Sequence, residues 1–193
     1  NAMRQQMRPD ARVHGIITRG GTAPNVIPEH TAARFYVRAR RREYLNALVG
    51  SFEACVHAAA LATGTRAEIR NYEASFDDMV SNLAMSGRMR DYFVQNLGAK
   101  EFGRAPDSFG SIDMGNVSHV VPAVHVLVDI SNDARIALHT PEFRAAAFTP
   151  YAEESLIRAG KALALTGCDL LSDPGFLEAV RREFAGHSGT CLH

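Results

Sequence analysis

The chain contains no tryptophan, only three cysteines in 193 residues, and no excess of either charge. Cys55, Cys168 and Cys191 are far apart and odd in number, so they form neither a disulfide framework nor a metal-ligand spacing; reduced thiols and a cytoplasmic location are expected. The 21 basic residues are balanced by 21 acidic ones, which argues against a protein that binds nucleic acid by neutralising phosphates. No apolar run stands out as long enough to cross a bilayer, and no secretory pattern opens the chain, so no membrane association is expected. There is no G-x-x-x-x-G-K, G-x-G-x-x-G, G-x-S-x-G or H-E-x-x-H motif and no paired C-x-x-C. Nucleotide binding, serine hydrolysis on a nucleophile elbow and the common one-zinc protease site therefore have no support. What remains is an ordinary globular composition, 46% hydrophobic and 22% charged, long enough for one or two domains with a real core.

In chain order, Val13–Thr18 and Ala32–Ala39 have the β-branched and aromatic character of strands. Between them lie a Gly20-Gly21 turn and a loop, Ala23 to Glu29, bracketed by Pro24 and Pro28. Glu43–Thr63 has helical spacing through Leu45, Leu48, Phe52 and Ala59, with Gly64 suited to the stop. Thr65–Ala74 alternates like a half-buried strand. Asp77 and Asp78 suit the start of a helix that Gly98 ends. Lys100–Phe109 reads as a surface connection. Thr149-Pro150 opens another helix, with Leu156, Ile157, Leu163 and Ala164 as its apolar face and Gly167 as its stop, and Asp173-Pro174 opens a last one. The basic run Arg38, Arg40, Arg41 and Arg42 is not followed by basic and aromatic interleaving, so it fits a solvated helix start better than a nucleic-acid patch. Positive charge at a helix N-terminus is unfavourable, and the sequence gives no reason for it there.

The informative stretch is Gly110 to Phe143. Gly110-Ser111-Ile112-Asp113-Met114-Gly115-Asn116 is small, polar and glycine-rich, the composition of a loop lining a site. Val120–Ile130 is almost continuously apolar and reads as a buried strand. His139 precedes a helix start, with Thr140 placed to cap, Pro141 at the first helical position and Glu142 at the positive end. A histidine beside a carboxylate at such a junction suits metal ligation, or is simply a helix entrance that follows a histidine. Ser111 and Asp113 lie inside the loop, where Asp113 either orients a ligand or makes a turn with its own backbone. Neighbouring Ser118 and His119 cannot easily present both side chains to one reacting atom.

Two motifs, GSIDMGNVSHVVP followed by HTPEF and GG-x-x-x-N-V-I-P at Gly20 to Pro28, resemble the dinuclear-zinc amidohydrolases of the aminoacylase and glutamate carboxypeptidase type. The p-aminobenzoyl-glutamate hydrolase and peptide-deacylase branch is the most similar. The resemblance spans nearly the whole chain but corresponds to about the C-terminal half of such enzymes. It implies an α/β fold: a partial ferredoxin-like lid or dimerisation domain over residues 3–75, then the C-terminal part of a zinc-peptidase-type α/β/α catalytic domain over residues 76–190. It implies His139 as a metal ligand and Asn25 as a residue pointing toward substrate in a partner subunit. It also implies Arg38 as the arginine that holds a substrate carboxylate, with Gly110, Ser111 and Asp113 walling the pocket. A guanidinium fork suits that task, since it meets a carboxylate with two parallel hydrogen bonds.

The family's remaining metal ligands, its adjacent glutamate pair with the general base, and its oxyanion histidine have no counterpart in this sequence. The expectation is therefore part of a metal-dependent amidohydrolase or peptidase acting on N-acyl amino acids or small peptides with a free carboxylate. Two zinc ions would serve each complete active site, and the chain alone is expected to be inactive and to form a homodimer through the lid. The alternative is a non-catalytic dimerisation or carboxylate-binding module built on the same fold.

Overall fold

The computed structural model describes residues 2–99, 110–132 and 136–188. They form two compact units, one built on residues 2–78 and 110–111, the other on residues 79–99, 112–132 and 136–188. Helices and a small two-stranded sheet together give the mixed α/β character expected.

In the first unit, β1 (Arg12–Arg19) and β2 (Ala32–Arg38) pair antiparallel, from Arg12 opposite Arg38 to Ile17 opposite Ala33. The register then slips, with Arg19 opposite Ala32, so Thr18 is one extra residue on β1. Helix α1 (Arg42–Ala62) packs against β2 on one face of this ribbon, with Phe52 tilted against Phe35 at 4.9 Å between ring centres. Gly15 is required for that face: a β-carbon there would collide with the Arg34 carbonyl and the Phe35 ring.

Asp77 and Asp78 do not start a helix. Asp78 Oδ1 accepts the backbone N–H of Arg42 at 3.0 Å and its other oxygen pairs with Arg41 at 3.2 Å, while Asp77 pairs with Arg42. Arg42 also donates to Ser75 Oγ at 2.7 Å. The arginines at the start of α1 thus face two carboxylates and a borrowed cap, which offsets the unfavourable charge at that helix end. At the other end Gly64 takes φ +66°, and Thr65 N–H returns to Ala60 O at 2.9 Å.

Two further expectations fail in this unit. Residues 65–74 join no ladder; Tyr72 and Glu73 meet β2 through side chains, with Tyr72 edge-on to Tyr36 at 5.9 Å and Glu73 bonded by the Tyr36 hydroxyl. And α1, at 21 residues with a hydropathy of 1.4 over its most apolar window, is long and apolar enough by composition to cross a membrane. Asn46, Ser51, Glu53 and His57 interrupt its apolar residues, so no unbroken apolar run marks it in the sequence.

The second unit is helical. Helix α2 (Leu83–Asp91) passes into a π-helical turn (Tyr92–Asn96), followed by α3 (Met114–Ser118), α4 (Pro141–Ala146), α5 (Pro150–Ser172) and α6 (Pro174–Ser188). Met89, Phe93 and Ala162 form the core, with Tyr92, Leu97, Ala99, Val124, Val126 and Ala159 packed on it. Asn82, rather than the aspartates upstream, caps α2, and Glu183 accepts from Leu83 N–H and Ala84 N–H at 2.7 and 2.9 Å.

Residues 120–130 are not a strand of the sheet. They form no regular element: Ala123 is buried and Val124 and Val126 pack on the core, while Leu127 is 68% exposed. Without a neighbouring strand among the described residues, the apolar run has no ladder to join. Nor does α5 stop at Gly167; it runs on to Ser172. Its buried side is small and partly polar (Ala152, Ser155, Ala162, Thr166), and the expected face of Leu156, Ile157 and Leu163 is exposed. Thr166 fits inside because its hydroxyl donates to Ala162 O at 2.8 Å. The Lys100–Phe109 connection and Cys191 lie outside the described residues.

Candidate functional site

His139 is exposed at the entrance to α4, and its backbone takes φ +64°, the left-handed region that a non-glycine residue seldom occupies. The helix start behind it forms as its residues dictate. Thr140 Oγ1 accepts Phe143 N–H at 3.2 Å and donates to Ala137 O at 2.9 Å, with Pro141 at the first helical position and Glu142 in the first turn. The cap and the proline fix the backbone immediately after His139. A left-handed non-glycine residue is a backbone constraint of the kind that clusters at functional positions.

The Gly110–Asn116 stretch is only partly the expected loop. Gly110, Ser111 and Asp113 are exposed, and Asp113 sits at the N-cap of α3 without bonding the helix through its side chain. From Met114 the chain turns into α3, and Gly115 and Ser118 are buried, so this part does belong to the core. Ser118 is 1% exposed; its hydroxyl donates to Gly115 O at 2.6 Å and accepts Val80 N–H at 2.9 Å. That bonding makes Ser118 a structural tie between α3 and the approach to α2. Small residues at Gly115 and Ser118 admit close packing, which composition alone cannot separate from loop flexibility.

In the first unit, Gly21 takes φ +111° with Pro28 close to where a β-carbon would stand, and Asn25 is exposed in the turn that follows. Asn25 belongs to the connection between Arg19 and Ala32, whereas Arg38 pairs with Arg12 at the other end of the hairpin. Six residue steps along β2 separate those ends, roughly 20 Å.

Arg38 lies on the face of β2 away from α1, since Phe35 faces Phe52 and alternate residues face oppositely. Its guanidinium stands 5.5 Å over the Tyr36 ring, and that of Arg34 stands 5.4 Å over the Tyr72 ring. The Tyr36 hydroxyl reaches both oxygens of the Glu73 carboxylate, at 2.7 and 2.9 Å. Hydrogen bonding to Glu73, and secondarily to Tyr72, pushes the Tyr36 hydroxyl up to about 12. The sequence offers no motif for this cluster. Its signal is the alternation of Arg34, Tyr36 and Arg38, with Tyr72 and Glu73 on a segment whose course beside β2 sequence could not give.

The donor set does not by itself make a metal centre. Among the described residues, no three histidine, cysteine, aspartate or glutamate side chains converge, and His139 contributes one imidazole. A zinc site needs at least three protein ligands, and a two-metal site more.

No protein-family model matches the chain. Over 187 residues, 95% of its length, it is 37% identical to the Xaa-Arg dipeptidase of Mus musculus, and over 188 residues it is 35% identical to the Xaa-Arg dipeptidase of Homo sapiens. The matched stretches are 43% and 42% of those relatives, so the chain spans less than half their length. The class to which it is similar is thus that of peptidases. The particular relatives are dipeptidases named for a C-terminal arginine.

Proposed function

We propose that this chain forms the substrate-carboxylate side of a dipeptidase, an amidohydrolase that cleaves dipeptides or N-acyl amino acids with a free carboxylate. By analogy with the names of its relatives, the C-terminal residue would be basic. The observation that carries this reading is Arg38, held over Tyr36 at the end of β2 on the side of the sheet that α1 leaves uncovered. A planar guanidinium fork suits the recognition of a carboxylate, which it can meet with two parallel hydrogen bonds.

Asn25 and Arg38 stand at opposite ends of one hairpin, too far apart to hold the same small substrate from one chain. Two copies paired through the sheet would let Asn25 of one approach the substrate held by Arg38 of the other, which favours a homodimer. His139 would supply one ligand of a zinc centre, and the polarising and water-activating chemistry of such a centre would need further ligands. The chain alone is therefore expected not to turn over substrate.

The test is direct. An N-acetyl amino acid should bind the purified chain and lose affinity in Arg38→Ala, and no hydrolysis should be seen. Turnover that disappears on chelation would overturn the incomplete centre, and unchanged binding in Arg38→Ala would overturn the carboxylate role. The second reading, a carboxylate-binding or dimerisation module without catalysis, draws on the lack of a three-ligand cluster among the described residues. It predicts the same binding, but no zinc uptake that His139→Ala abolishes.

A further inference from the structure

We propose that the open side of α5 is an interface for a polypeptide corresponding to the part of the dipeptidase relatives that this chain does not match. The inference draws on the second unit alone and does not depend on Arg38.

Helix α5 carries two apolar sides. One faces α2, the π-helical turn and α6, and its buried residues are Ala152, Ser155, Ala162 and Thr166. At about 100° per residue, Leu156, Ile157, Gly160, Leu163, Gly167 and Leu171 fall together on an adjoining arc roughly 140° wide. That arc is open: Leu156 is 68% exposed, Ile157 53%, Leu163 59% and Leu171 92%. The charges of the helix middle, Glu154, Arg158 and Lys161, keep to the remaining side, where Glu154 and Arg158 pair at 2.6 Å. A helix with one charged side and two apolar ones is patterned for neighbours on both apolar sides, and the second unit supplies them on one.

Gly160 and Gly167 distinguish an interface from an ordinary exposed patch. Both lie inside α5, where glycine weakens a helix relative to alanine. Neither takes a positive φ, and a β-carbon at either position would meet nothing within 4 Å. Their missing side chains leave two notches, about two turns apart, between Leu156, Leu163 and Leu171. Large side chains of a neighbouring element can enter such notches and bring its backbone close. A lipid surface or a solvated face has no use for them.

The occupant follows from extent. The chain matches over 95% of its length, yet the matched stretches are 43% and 42% of the relatives. Each relative therefore carries more polypeptide outside the matched stretch than within it. That polypeptide belongs to the same molecule there and is large enough to cover the open side, removing exposed apolar surface from water.

The test co-expresses the full 193-residue chain with a separate, tagged polypeptide comprising the unmatched part of the Mus musculus relative. The two should co-purify in equal amounts. In that complex the Leu163→Cys thiol, followed by peptide mapping, should react with maleimide about tenfold more slowly than in the chain alone. Gly160→Leu and Gly167→Leu should prevent association. In the chain alone the same two variants should melt no lower than the wild type, because leucine favours a helix and the space is open, so a blocked interface is separated from a damaged fold. No complex, or a complex in which the Leu163→Cys thiol reacts at the free rate, overturns the interface. Slow labelling in the chain alone that speeds up on dilution assigns the side to a second copy and overturns the occupant. Assembly that survives both glycine variants, or lower melting of both in the chain alone, overturns the role of the notches. The carboxylate reading of Arg38 stands or falls separately.

Discussion

The side-chain amide of Asn82 donates to the main-chain carbonyl of Val180 at 3.0 Å, across 98 residues of sequence. The same residue caps α2 through Met85 N–H and donates its own N–H to Ala123 O at 2.8 Å, so one buried asparagine joins α2, α6 and the segment after α3. Replacing it with alanine removes a cap and leaves the Val180 carbonyl without this donor. Asn82→Ala should destabilise the second unit by roughly 2–3 kcal/mol. Urea unfolding followed by circular dichroism measures this, and a shift of the midpoint close to zero would contradict the joint role.

Tyr36 provides a titration that reports on the first unit once its signal is separated from that of Tyr92. Its hydroxyl, bonded to Glu73, should ionise near about 12 in the folded chain, well above the ordinary phenol. Because the folded value is raised, the interaction stabilises fully below the unfolded value and is lost as pH climbs through the folded one. Spectrophotometric titration should show two late tyrosines, Tyr36 and, through its bond to Asp169, Tyr92, of which only Tyr36 moves down in Glu73→Gln. A tyrosine profile unaltered by that change would mean the bond does not form.

The second unit should be acid-sensitive through Asp173. Its Oδ1 accepts Phe176 N–H at 3.0 Å at the start of α6, and Arg88 lies at 3.3 Å from its other oxygen. The bond from Phe176, aided by Arg88 and opposed by desolvation, holds this carboxyl below its usual value. A depressed folded value means the contribution is complete above the ordinary aspartate range and vanishes as pH falls through the folded value. Asp173→Asn should therefore lose less melting temperature than the wild type between neutrality and strong acid. Parallel acid profiles would show that Asp173 carries none of this dependence.

At His139 the backbone and the imidazole can be separated. Glycine tolerates the left-handed conformation and alanine does not, so His139→Gly should be more stable than His139→Ala by about 1 kcal/mol. Both should fail equally to bind zinc at this position. Thermal melts and metal analysis on the two variants test the pair of claims. Equal stability would mean that residue 139 has relaxed out of the left-handed region.

Local chemistry was legible wherever neighbouring residues decide the outcome. The two strands of the hairpin, α1, the Thr140-Pro141 and Thr149-Pro150 starts and the Gly64 stop all follow from short-range rules. What failed depended on distant partners. Asp77 and Asp78 resemble a helix start until Arg41 and Arg42 are seen opposite them. Residues 120–130 have strand composition without a strand beside them among the described residues. On α5 the larger residues suggested the buried face, but close packing against Met89 and Phe93 selected Ala159 and Ala162 instead. Of the site, Arg38, Asn25 and His139 came from motif resemblance, whereas Glu73 and Tyr36 became visible only once residues 65–74 were placed beside β2.

The extra residue at Thr18 matters beyond the ladder it interrupts. Along a ribbon, one added residue exchanges the sides on which all later side chains emerge. The connection bearing Asn25 therefore leaves the hairpin in an orientation set by a threonine seven positions earlier. Deleting Thr18 would keep every residue of that connection intact yet rotate it about the strand axis, so a contact made at one point on the molecule is governed by arithmetic at another.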